Sequence, residues 1–204
     1  MPQRGDHGDP RTCAGPRQHT STGGALTQLI SPGPEFGQLF QGFQHTAFRL
    51  EVRDRYDEPR EQQSLRRFQA GDPDNLPWLR SWLDMLREHA AEGRRFCRVR
   101  VVSVPLSAYS RFGVWCAKFT NAAGEDIRYL ARDVANAEAL PSHDYWLFDS
   151  RLLVQMHFDT RNRFVGGEVI EDSAVIVEHN YWRDAAWHWA VRRDDFSAQL
   201  GIDL

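Results

Sequence analysis

Charged and imidazole side chains that could do chemistry occur in four groups, each next to a predicted buried element. The groups are Arg49, Glu51 and Arg53; Glu125, Asp126 and Arg128; His143, Asp144, Asp149, His157 and Asp159; and His179, Arg183, Asp184 and His188. Imidazoles and carboxylates are common general acids and bases in enzymes, and both bind metal ions. The same residue types also form ion pairs within a fold, so each group has a catalytic, a metal-binding and a structural interpretation.

Two pairs of the last group share a face of a predicted C-terminal helix, because residues four apart lie one helical turn from each other. His179 and Arg183 form the first pair, and Asp184 and His188 form the second. A carboxylate that orients an imidazole can make it a general base, so the second pair is a candidate acid–base pair. The favoured alternative is structural: Arg183 and Asp184 would form ion pairs with the strand charges of the first group.

Asp149 with His157 is a second candidate acid–base pair. Alternation along its strand also places His157 on the same face as Asp159, an arrangement that suits a metal ion. The spacing matches no known metal motif, however, and His179 and His188 lie on opposite sides of their helix. We therefore predict neither a metal site nor a cofactor. A phosphate-binding glycine loop, a Gly-x-Ser-x-Gly motif and a plausible cysteine nucleophile are also missing from the sequence.

Hydrophobic periodicity predicts a mixed α/β domain that positions these residues. Strands are predicted at residues 47–53, 96–104, 126–130, 144–149, 152–158 and 164–170. Helices are predicted at residues 35–44, 60–70, 75–92, 106–119 and 131–140, and a long one begins at Asp172 or Ser173, either of which can cap it. The resulting prediction is a mixed sheet covered by helices, with a long C-terminal helix.

The periodicity also predicts which residues are buried. Along the first strand, apolar residues alternate with Arg49, Glu51 and Arg53, which predicts a half-buried strand with a charged outer face. Gly166 and Gly167, inside a strand, predict a bulge or a close backbone approach. The buried face of the long helix is predicted from a repeat of three and four: Val175, His179, Trp182, Ala186 and Trp189. Trp187 lies off that face and is a candidate ligand contact, whereas the other tryptophans are assigned to the core.

Composition limits the classes of protein that this chain of 204 residues can represent. The formal net charge is −3 and 41% of residues are hydrophobic, an ordinary globular balance. Proteins that coat nucleic acid usually carry a basic stripe, so direct nucleic-acid binding is not expected. The basic cluster of Arg94, Arg95, Arg98 and Arg100 is interpreted as a solvated helix end and strand edge. No apolar stretch is long enough to span a bilayer, which predicts a cytoplasmic protein without membrane contact.

Composition also divides the chain into three parts. Residues 1–34 are rich in Gly, Pro, Thr and Gln without apolar periodicity, which predicts a disordered N-terminal arm. Residues 35–198 are predicted to form one α/β domain, and residues 199–204 a C-terminal tail. The three cysteines are widely separated, so neither a disulfide framework nor a zinc site is indicated.

The order of elements after residue 130 resembles half of a phospholipase D-like domain. That family carries His-x-Lys-x-x-x-x-Asp, and the corresponding residues here are Ser142, Asp144 and Asp149. Only the final aspartate matches the motif. A serine without a base cannot replace the imidazole nucleophile, and an acid in place of lysine would repel a phosphate. The resemblance therefore implies a phospholipase D-like fold in which this half-site is catalytically inactive.

A closer resemblance, to an uncharacterised actinobacterial family of small proteins, covers residues 35 to about 196. It rests on the segments EFGQLF, HTAFRLEVRDRY, RVRVVS, GEDIRYL, DYWLFDS and WRDAAWHWA, in that order. Members of that family are often encoded beside helix-turn-helix regulators. The resemblance therefore implies a regulatory role with a helix-turn-helix protein as partner.

These inferences lead to one expected function and one alternative. The expected function is a non-catalytic regulatory or interaction protein that binds a helix-turn-helix regulator. The alternative is an enzyme that uses a His/Asp acid–base pair on an unidentified polar or phosphate-containing substrate. The candidate ligand- or partner-binding residues are Arg49, Glu51, Asp126, Arg128, Asp149, His157, Arg183, Asp184, Trp187 and His188.

Overall fold

The described residues form one eight-stranded mixed sheet with helices on both faces. The computed structural model describes residues 28–202. The strands are β1 (Gln28–Ile30), β2 (Thr46–Glu51), β3 (Arg95–Val102), β4 (Glu125–Ala131), β5 (Tyr145–Phe148), β6 (Leu152–Phe158), β7 (Phe164–Ile170) and β8 (Val191–Arg192). Their order in the sheet is β1-β7-β6-β5-β2-β3-β4-β8.

In residues 28–202, seven helices and one 3₁₀ turn cover the sheet. The helices are α1 (Pro34–Gly42), α2 (Gln62–Gln69), α3 (Arg80–Ala91), α4 (Ala108–Ala122), α5 (Arg132–Ala137), α6 (Ser173–Trp189) and α7 (Arg193–Gln199), and the 3₁₀ turn is Pro77–Leu79. Within the described part of the chain, none of these helices is both long and apolar enough to cross a membrane.

The direction of each strand follows from the segment that connects it to the next. Helices separate β2 from β3 and β3 from β4, and these neighbouring pairs are parallel. Short turns join β5 to β6 and β6 to β7, and these pairs are antiparallel. Parallel neighbours require a long crossover, whereas antiparallel neighbours need only a tight turn. The predicted class, a mixed α/β sheet covered by helices with a long C-terminal helix, is confirmed.

The two faces of the sheet carry different cores. On one face, Leu50, Val99 and Leu153 pack with α5 and α6. On the other, Phe96 and Trp146 pack with α1 and α3. Both faces of β2 are covered, so the predicted half-buried strand with an outer charged face is wrong. Alternation along a strand shows which residues share a face, but it does not show whether helices cover that face.

The C-terminal half matches the sequence prediction closely. Strands β6 and β7 have the predicted bounds, and α6 begins at Ser173. Asp172 caps this helix, because its Oδ1 accepts from the backbone N–H groups of Ala174 at 2.8 Å and Val175 at 3.1 Å. The predicted apolar face of α6 holds except at Trp189, which is 48% exposed because the helix ends there.

The predicted domain boundaries need correction at both ends. The predicted arm ends before residue 34, because Gln28–Ile30 pairs with β7 and buries Ile30; residues 1–27 lie outside the described residues. The predicted tail begins too early at residue 199, because Gln199 ends α7 and Leu200 packs against the core. Strand β8 and helix α7 are too short to show a periodicity, so the sequence predicts neither.

Gly166 and Gly167 provide the close backbone approach that their position in a strand predicts. Gly166 has a φ of +150°, and a Cβ there would lie 2.8 Å from the carbonyl oxygen of Ile30. A Cβ at Gly167 would lie 2.7 Å from Cγ1 of Val154. The register of β6 and β7 shifts beside this point, between His157 and Phe158. Gly166 therefore lets β1 add to the sheet edge, and Gly167 leaves room for the side chains of Val154 and Phe36.

We expect Gly166→Ala to destabilise the protein by about 1–3 kcal/mol, because the methyl group would displace β1 and a positive φ strains alanine. The matched control is Gly37→Ala in α1, where an added Cβ meets no atom within 4 Å. The control should stabilise the fold by about 0.5–1 kcal/mol, since alanine favours a helix. Urea unfolding of both variants measures the two changes; equal changes in free energy would contradict the close approach.

Candidate functional site

A cleft of about 1190 Å³ opens on the face of the sheet that α1, α3 and α4 cover. Strands β2, β3, β4 and β5 form its floor, and aromatic residues from the helices form its walls. Because β2 and β3 are parallel neighbours, their registers place Arg49 beside Arg98 and Glu51 beside Arg100. The floor of the cleft therefore collects charged side chains from adjacent strands.

Glu51 is the centre of the charged network on this floor. Its Oε1 lies 2.9 Å from Nε of Arg49 and 2.7 Å from Nη1 of Arg98. Its Oε2 lies 2.7 Å from Nε of Arg100. Arg98 also contacts Glu125, whose Oε1 lies 2.7 Å from Nη2 of Arg98. One buried carboxylate thus holds three guanidinium groups.

Asp144 supports the network from the segment before β5. It accepts hydrogen bonds from the backbone N–H of Val52 at 3.0 Å and from the Tyr56 hydroxyl at 2.6 Å. Its Oδ2 lies 3.8 Å from Nη2 of Arg49. The indole of Trp146 lies beside two of the arginines, with the Arg49 and Arg98 guanidinium carbons 5.3 and 5.8 Å from the ring centroid. These contacts hold the guanidinium planes in place.

Within the network, the arginine side chains are more exposed than the glutamate side chains. The carboxylate side chains of Glu51 and Glu125 are 5% and 0% exposed, whereas those of Arg49, Arg98 and Arg100 are 14–15% exposed. The network is nearly balanced in charge, but its positive groups are the accessible ones. The floor therefore presents hydrogen-bond donors to the cleft.

The arginines determine the protonation of Glu51. Burial alone would raise its pKa, but Arg98, Arg100 and Arg49 lower it to about 2. Burial opposes the charge on Arg100 as well, yet Glu51 raises the pKa of Arg100 well above its usual value. Glu51 and Arg100 are therefore both ionised at neutral pH.

Glu61, in the wall of the cleft, has a raised pKa, in contrast to Glu51. Burial raises its pKa to about 7, although the neighbouring Tyr109 hydroxyl and Arg100 oppose the rise. Glu61 is 6% exposed, and its Oε1 has no hydrogen-bond partner among the described residues. A carboxyl group with a pKa near 7 exchanges a proton at physiological pH, a property typical of acid–base and sensing sites.

Helix α4 lies close to the Arg100 guanidinium at Gly113. A Cβ at this position would lie 2.2 Å from Nη1 of Arg100. Glycine weakens a helix, so a glycine at residue 113 is unexpected within the helix that the sequence predicts there. The structure explains it, because only glycine leaves room for the Arg100 guanidinium against the helix.

The ten residues predicted to bind a ligand or partner do not meet in one site. Arg49 and Glu51 lie in the cleft. Asp126 and Arg128 lie on the opposite face of β4, where their side chains pair at 3.1 Å. The Arg128 guanidinium stacks 3.8 Å from the ring centroid of Trp187. Trp187 also packs against the core beside Phe48, so its contacts are those of a core residue rather than of an exposed ligand contact.

Asp149 and His157 are also separate from the cleft floor. The carboxylate of Asp149 accepts three backbone N–H groups at the start of β2, from Gln44, His45 and Thr46, at 2.7–2.9 Å. His157 instead pairs with Glu168 on β7, with 3.1 Å between Nε2 and Oε2. The predicted Asp149–His157 pair is therefore wrong: the side chain of Asp149 is occupied by backbone N–H groups.

The polar residues of α6 have local partners. Arg183 donates to Ser150 Oγ at 2.6 Å and pairs with Asp184 at 2.8 Å. The predicted link from Arg183 and Asp184 to Arg49 and Glu51 is wrong, because the sheet lies between α6 and the cleft. No described contact joins Asp184 with His188, whose ring instead lies 5.2 Å from that of Trp189. His179 contacts His143, with 3.0 Å between their Nε2 atoms.

The sequence predicts that Arg98 and Arg100 lie on a solvated strand edge, and this prediction is wrong. Both are half-buried in the network, because β3 is a central strand between β2 and β4. Alternation with Val99 and Val101 shows that the two arginines share one face of β3. The sequence does not show that β2 pairs with β3, which brings that face next to Arg49 and Glu51. Tyr56, Glu61 and Tyr109 come from connections and a helix, and no spacing marks them.

The positions that correspond to the phospholipase D motif have structural roles. Ser142 is exposed in a bend before β5. Asp144 accepts hydrogen bonds from the Tyr56 hydroxyl and from the backbone that follows β2. Asp149 accepts hydrogen bonds from the backbone that precedes β2. Among residues 28–202, no three or more His, Cys, Asp and Glu side chains are grouped so as to hold a metal ion.

Two solved structures are similar in fold to this chain. NucT from Helicobacter pylori matches with a TM-score of 0.47 and 10% identity, over 81% of this chain and 98% of NucT. Phosphatidylserine synthase from Haemophilus influenzae Rd KW20 matches with a TM-score of 0.43 and 10% identity, over 82% of this chain and 39% of that protein. The similarity concerns the fold alone.

The chain belongs to the family described as "Domain of unknown function (DUF6879)", whose sequence model matches residues 34–198. No curated protein matches the sequence. The matched range includes the whole cleft floor and every residue of the charged network.

We expect Glu51→Gln to destabilise the protein by about 3–5 kcal/mol at pH 7, because it leaves three guanidinium groups without their shared carboxylate. The folded-state pKa of Glu51, about 2, is below its ordinary value of 4.5. Its stabilising contribution is therefore complete above pH 4.5 and is lost as the pH falls towards 2. Denaturant unfolding at several pH values should show the two proteins converging in acid.

The control for this experiment is Asp84→Asn, which removes an exposed ion pair with Arg87. Exposed pairs contribute little, so this variant should unfold like the wild type. If Glu51→Gln were as mild as the control at pH 7, the network would not stabilise the fold.

Proposed function

We propose that this protein is a non-catalytic regulatory protein whose cleft binds a small ligand with acceptor oxygens, such as a phosphate or a carboxylate. The floor of the cleft supports this proposal. The three arginine side chains there are 14–15% exposed, whereas the carboxylate side chains that balance them are 5% or less exposed. An incoming anion would therefore meet N–H donors before it meets negative charge.

The arginines retain donor capacity for such a ligand. Each guanidinium group carries five N–H donors. Arg98 uses all three of its nitrogens on Glu51 and Glu125. The described ion pair of Arg100 with Glu51 uses Nε, so its terminal nitrogens remain available beside Gly113. Planar guanidinium groups match the oxygen pairs of phosphate and carboxylate groups.

The walls of the cleft define the rest of the ligand. Aromatic side chains line them from both sides, namely Phe36, Phe40, Trp78, Trp82, Phe158 and Phe164. Such walls favour an apolar or aromatic body, because its burial removes apolar surface from water. A ligand with an anionic head and an apolar body would fit both parts of the cleft.

The chemistry of the cleft supports binding rather than catalysis. Cys116 lines it, but burial raises the pKa of this thiol, which keeps it protonated and poorly nucleophilic. Asp144 and Asp149 are engaged by the backbone and by Tyr56. A nucleophile next to an activating base is not found among the described residues that line the cleft.

One observation favours the alternative, an enzyme. Glu61 lies in the cleft wall with a pKa of about 7, which would suit a general acid or base. This residue replaces the His/Asp pairs suggested by the sequence, because neither of those pairs forms in the described structure. Chemical change of a ligand during the titration below would favour this alternative over binding.

The proposed partner, a helix-turn-helix regulator, comes from the sequence resemblance. Helix α6 offers a surface for it, since Val177 and Tyr181 lie one turn apart and are 68% and 66% exposed. Large apolar side chains grouped on an exposed helix face are typical of contact surfaces. The cleft lies on the other side of the sheet, so a ligand and a partner would not compete for the same residues.

We expect phenyl phosphate to quench the fluorescence of the cleft tryptophans in a saturable titration, whereas neutral phenol binds weakly. Gly113→Ala should weaken phenyl phosphate binding roughly tenfold, because the methyl group displaces the Arg100 guanidinium and one charged hydrogen bond is lost. The fold should lose less stability than in Glu51→Gln, because Glu51 keeps its contacts with Arg49 and Arg98, and circular dichroism confirms that the variant is folded. Gly42→Ala, which adds a Cβ in open space, is the control. Equal affinity for phenol, or an unchanged Gly113→Ala variant, would contradict the proposed ligand class.

We expect the tagged protein to co-purify with the product of a neighbouring helix-turn-helix gene as a stoichiometric complex in size exclusion at moderate salt. Val177→Asp and Tyr181→Asp should abolish the complex, because each places a charge in an apolar contact. Glu178→Gln, on the same exposed turn, is the matched control. A complex that survives both substitutions would exclude this surface, and the lack of any complex would contradict the partner role.

A further inference from the structure

His143 and His179 form a pair on the face of the sheet opposite the cleft. His143 precedes β5, and His179 lies on α6 with 3% exposure. Their Nε2 atoms are 3.0 Å apart. The other ring nitrogen of His179, Nδ1, lies 2.8 Å from the carbonyl oxygen of Val175. A carbonyl oxygen can only accept, so Nδ1 carries the proton and a neutral His179 directs the Nε2 lone pair towards His143.

The surroundings hold both rings in this orientation. Trp182 packs edge-on against the two imidazoles, with centroid distances of 4.7 Å to His179 and 6.0 Å to His143. Tyr145 contacts the His179 ring and donates its hydroxyl to the His179 carbonyl oxygen at 3.1 Å. Packing therefore restrains both rings, and the hydrogen bond from Nδ1 to the Val175 carbonyl oxygen orients the His179 ring.

We propose that His143 and His179 are the two protein ligands of a site for a divalent transition-metal ion that prefers imidazole, of the Cu²⁺, Ni²⁺ or Zn²⁺ class. Two nitrogens bound at about 2.0–2.1 Å to one ion lie about 2.9 Å apart at a 90° angle and about 3.4 Å apart at a tetrahedral angle. The separation of 3.0 Å found here therefore suits the square-planar geometry of Cu²⁺ or Ni²⁺ best. Binding of the ion would displace the proton shared between the nitrogens. A carbonyl that accepts from the other nitrogen of a ligating histidine is the usual support of such a ligand.

Burial is the largest influence on both rings and lowers their pKa values, and the charged groups near them differ in sign. Glu178 acts on His179 as a neighbouring negative charge. His157 acts on His143, but it pairs with Glu168, which offsets a positive charge there. Because the described residues provide no group of three or more metal-binding side chains, water would complete the coordination. Neither histidine contributes to the proposed cleft ligand, so the metal site does not depend on that proposal.

The test is titration of the chelator-treated full-length protein with Cu²⁺, followed by calorimetry and electron paramagnetic resonance. We expect one ion per chain and a spectrum with hyperfine coupling to two imidazole nitrogens. His143→Gln, in the segment before β5, should reduce the affinity about tenfold or more. His179→Gln should do the same, with circular dichroism used to confirm that each variant is folded.

His188→Gln is the matched control, because His188 lies on the same helix and is exposed. Its affinity should equal that of the wild type. The His143→Gln, His179→Gln double variant measures binding by the remaining histidines, which number six of the eight in the chain. The proposal is overturned if the wild type binds no more tightly than the double variant, or if His143→Gln binds like the wild type. In either case the pair is an N–H···N hydrogen bond alone.

Discussion

The structure depends on keeping the carboxylate of Glu51 charged between the sheet and its helices. Removing a carboxylate from water is strongly unfavourable unless cations replace its hydration. Arg49, Arg98 and Arg100 do so from two parallel strands, in a register that brings all three within 2.9 Å of one side chain. Each arginine is itself only 14–15% exposed and needs the same carboxylate. Loss of any member would therefore leave the others without a charged partner, so these residues act as a unit rather than as separate ion pairs.

This constraint also accounts for the cleft. Helices that cover an apolar sheet face can pack directly against it, as α1 and α3 do over Phe96 and Trp146. Over the charged part of the floor, a helix would have to bury guanidinium groups that still have free donors. Helix α4 comes close at Gly113, where the missing side chain leaves room for Arg100. The apolar packing on either side thus stops at the network, and an open space remains between the walls.

The sequence predicts the fold better than the site, for a physical reason. Local periodicity depends on neighbours in the chain, and it defines β6, β7 and α6 nearly to the residue. The site depends on which strands are neighbours, and that is decided by the crossovers between β2, β3 and β4. Alternating Arg and Val in β3 is compatible with an exposed edge or with a central strand over a charged floor. Residues such as Glu61, on a connection, follow no period, so only the tertiary structure brings them to the cleft.

Strand β5 shows how one short element serves both faces of the sheet. Successive side chains of a strand point to opposite faces, and here Trp146 lies beside Arg49 and Arg98, whereas Tyr145 contacts His179. The acids at its two ends, Asp144 and Asp149, hold the backbone that follows and precedes β2. The two acids that correspond to motif positions, Asp144 and Asp149, thus position β2 and the charged network. A change to these acids would alter binding through the position of Glu51, even though neither acid would contact a ligand.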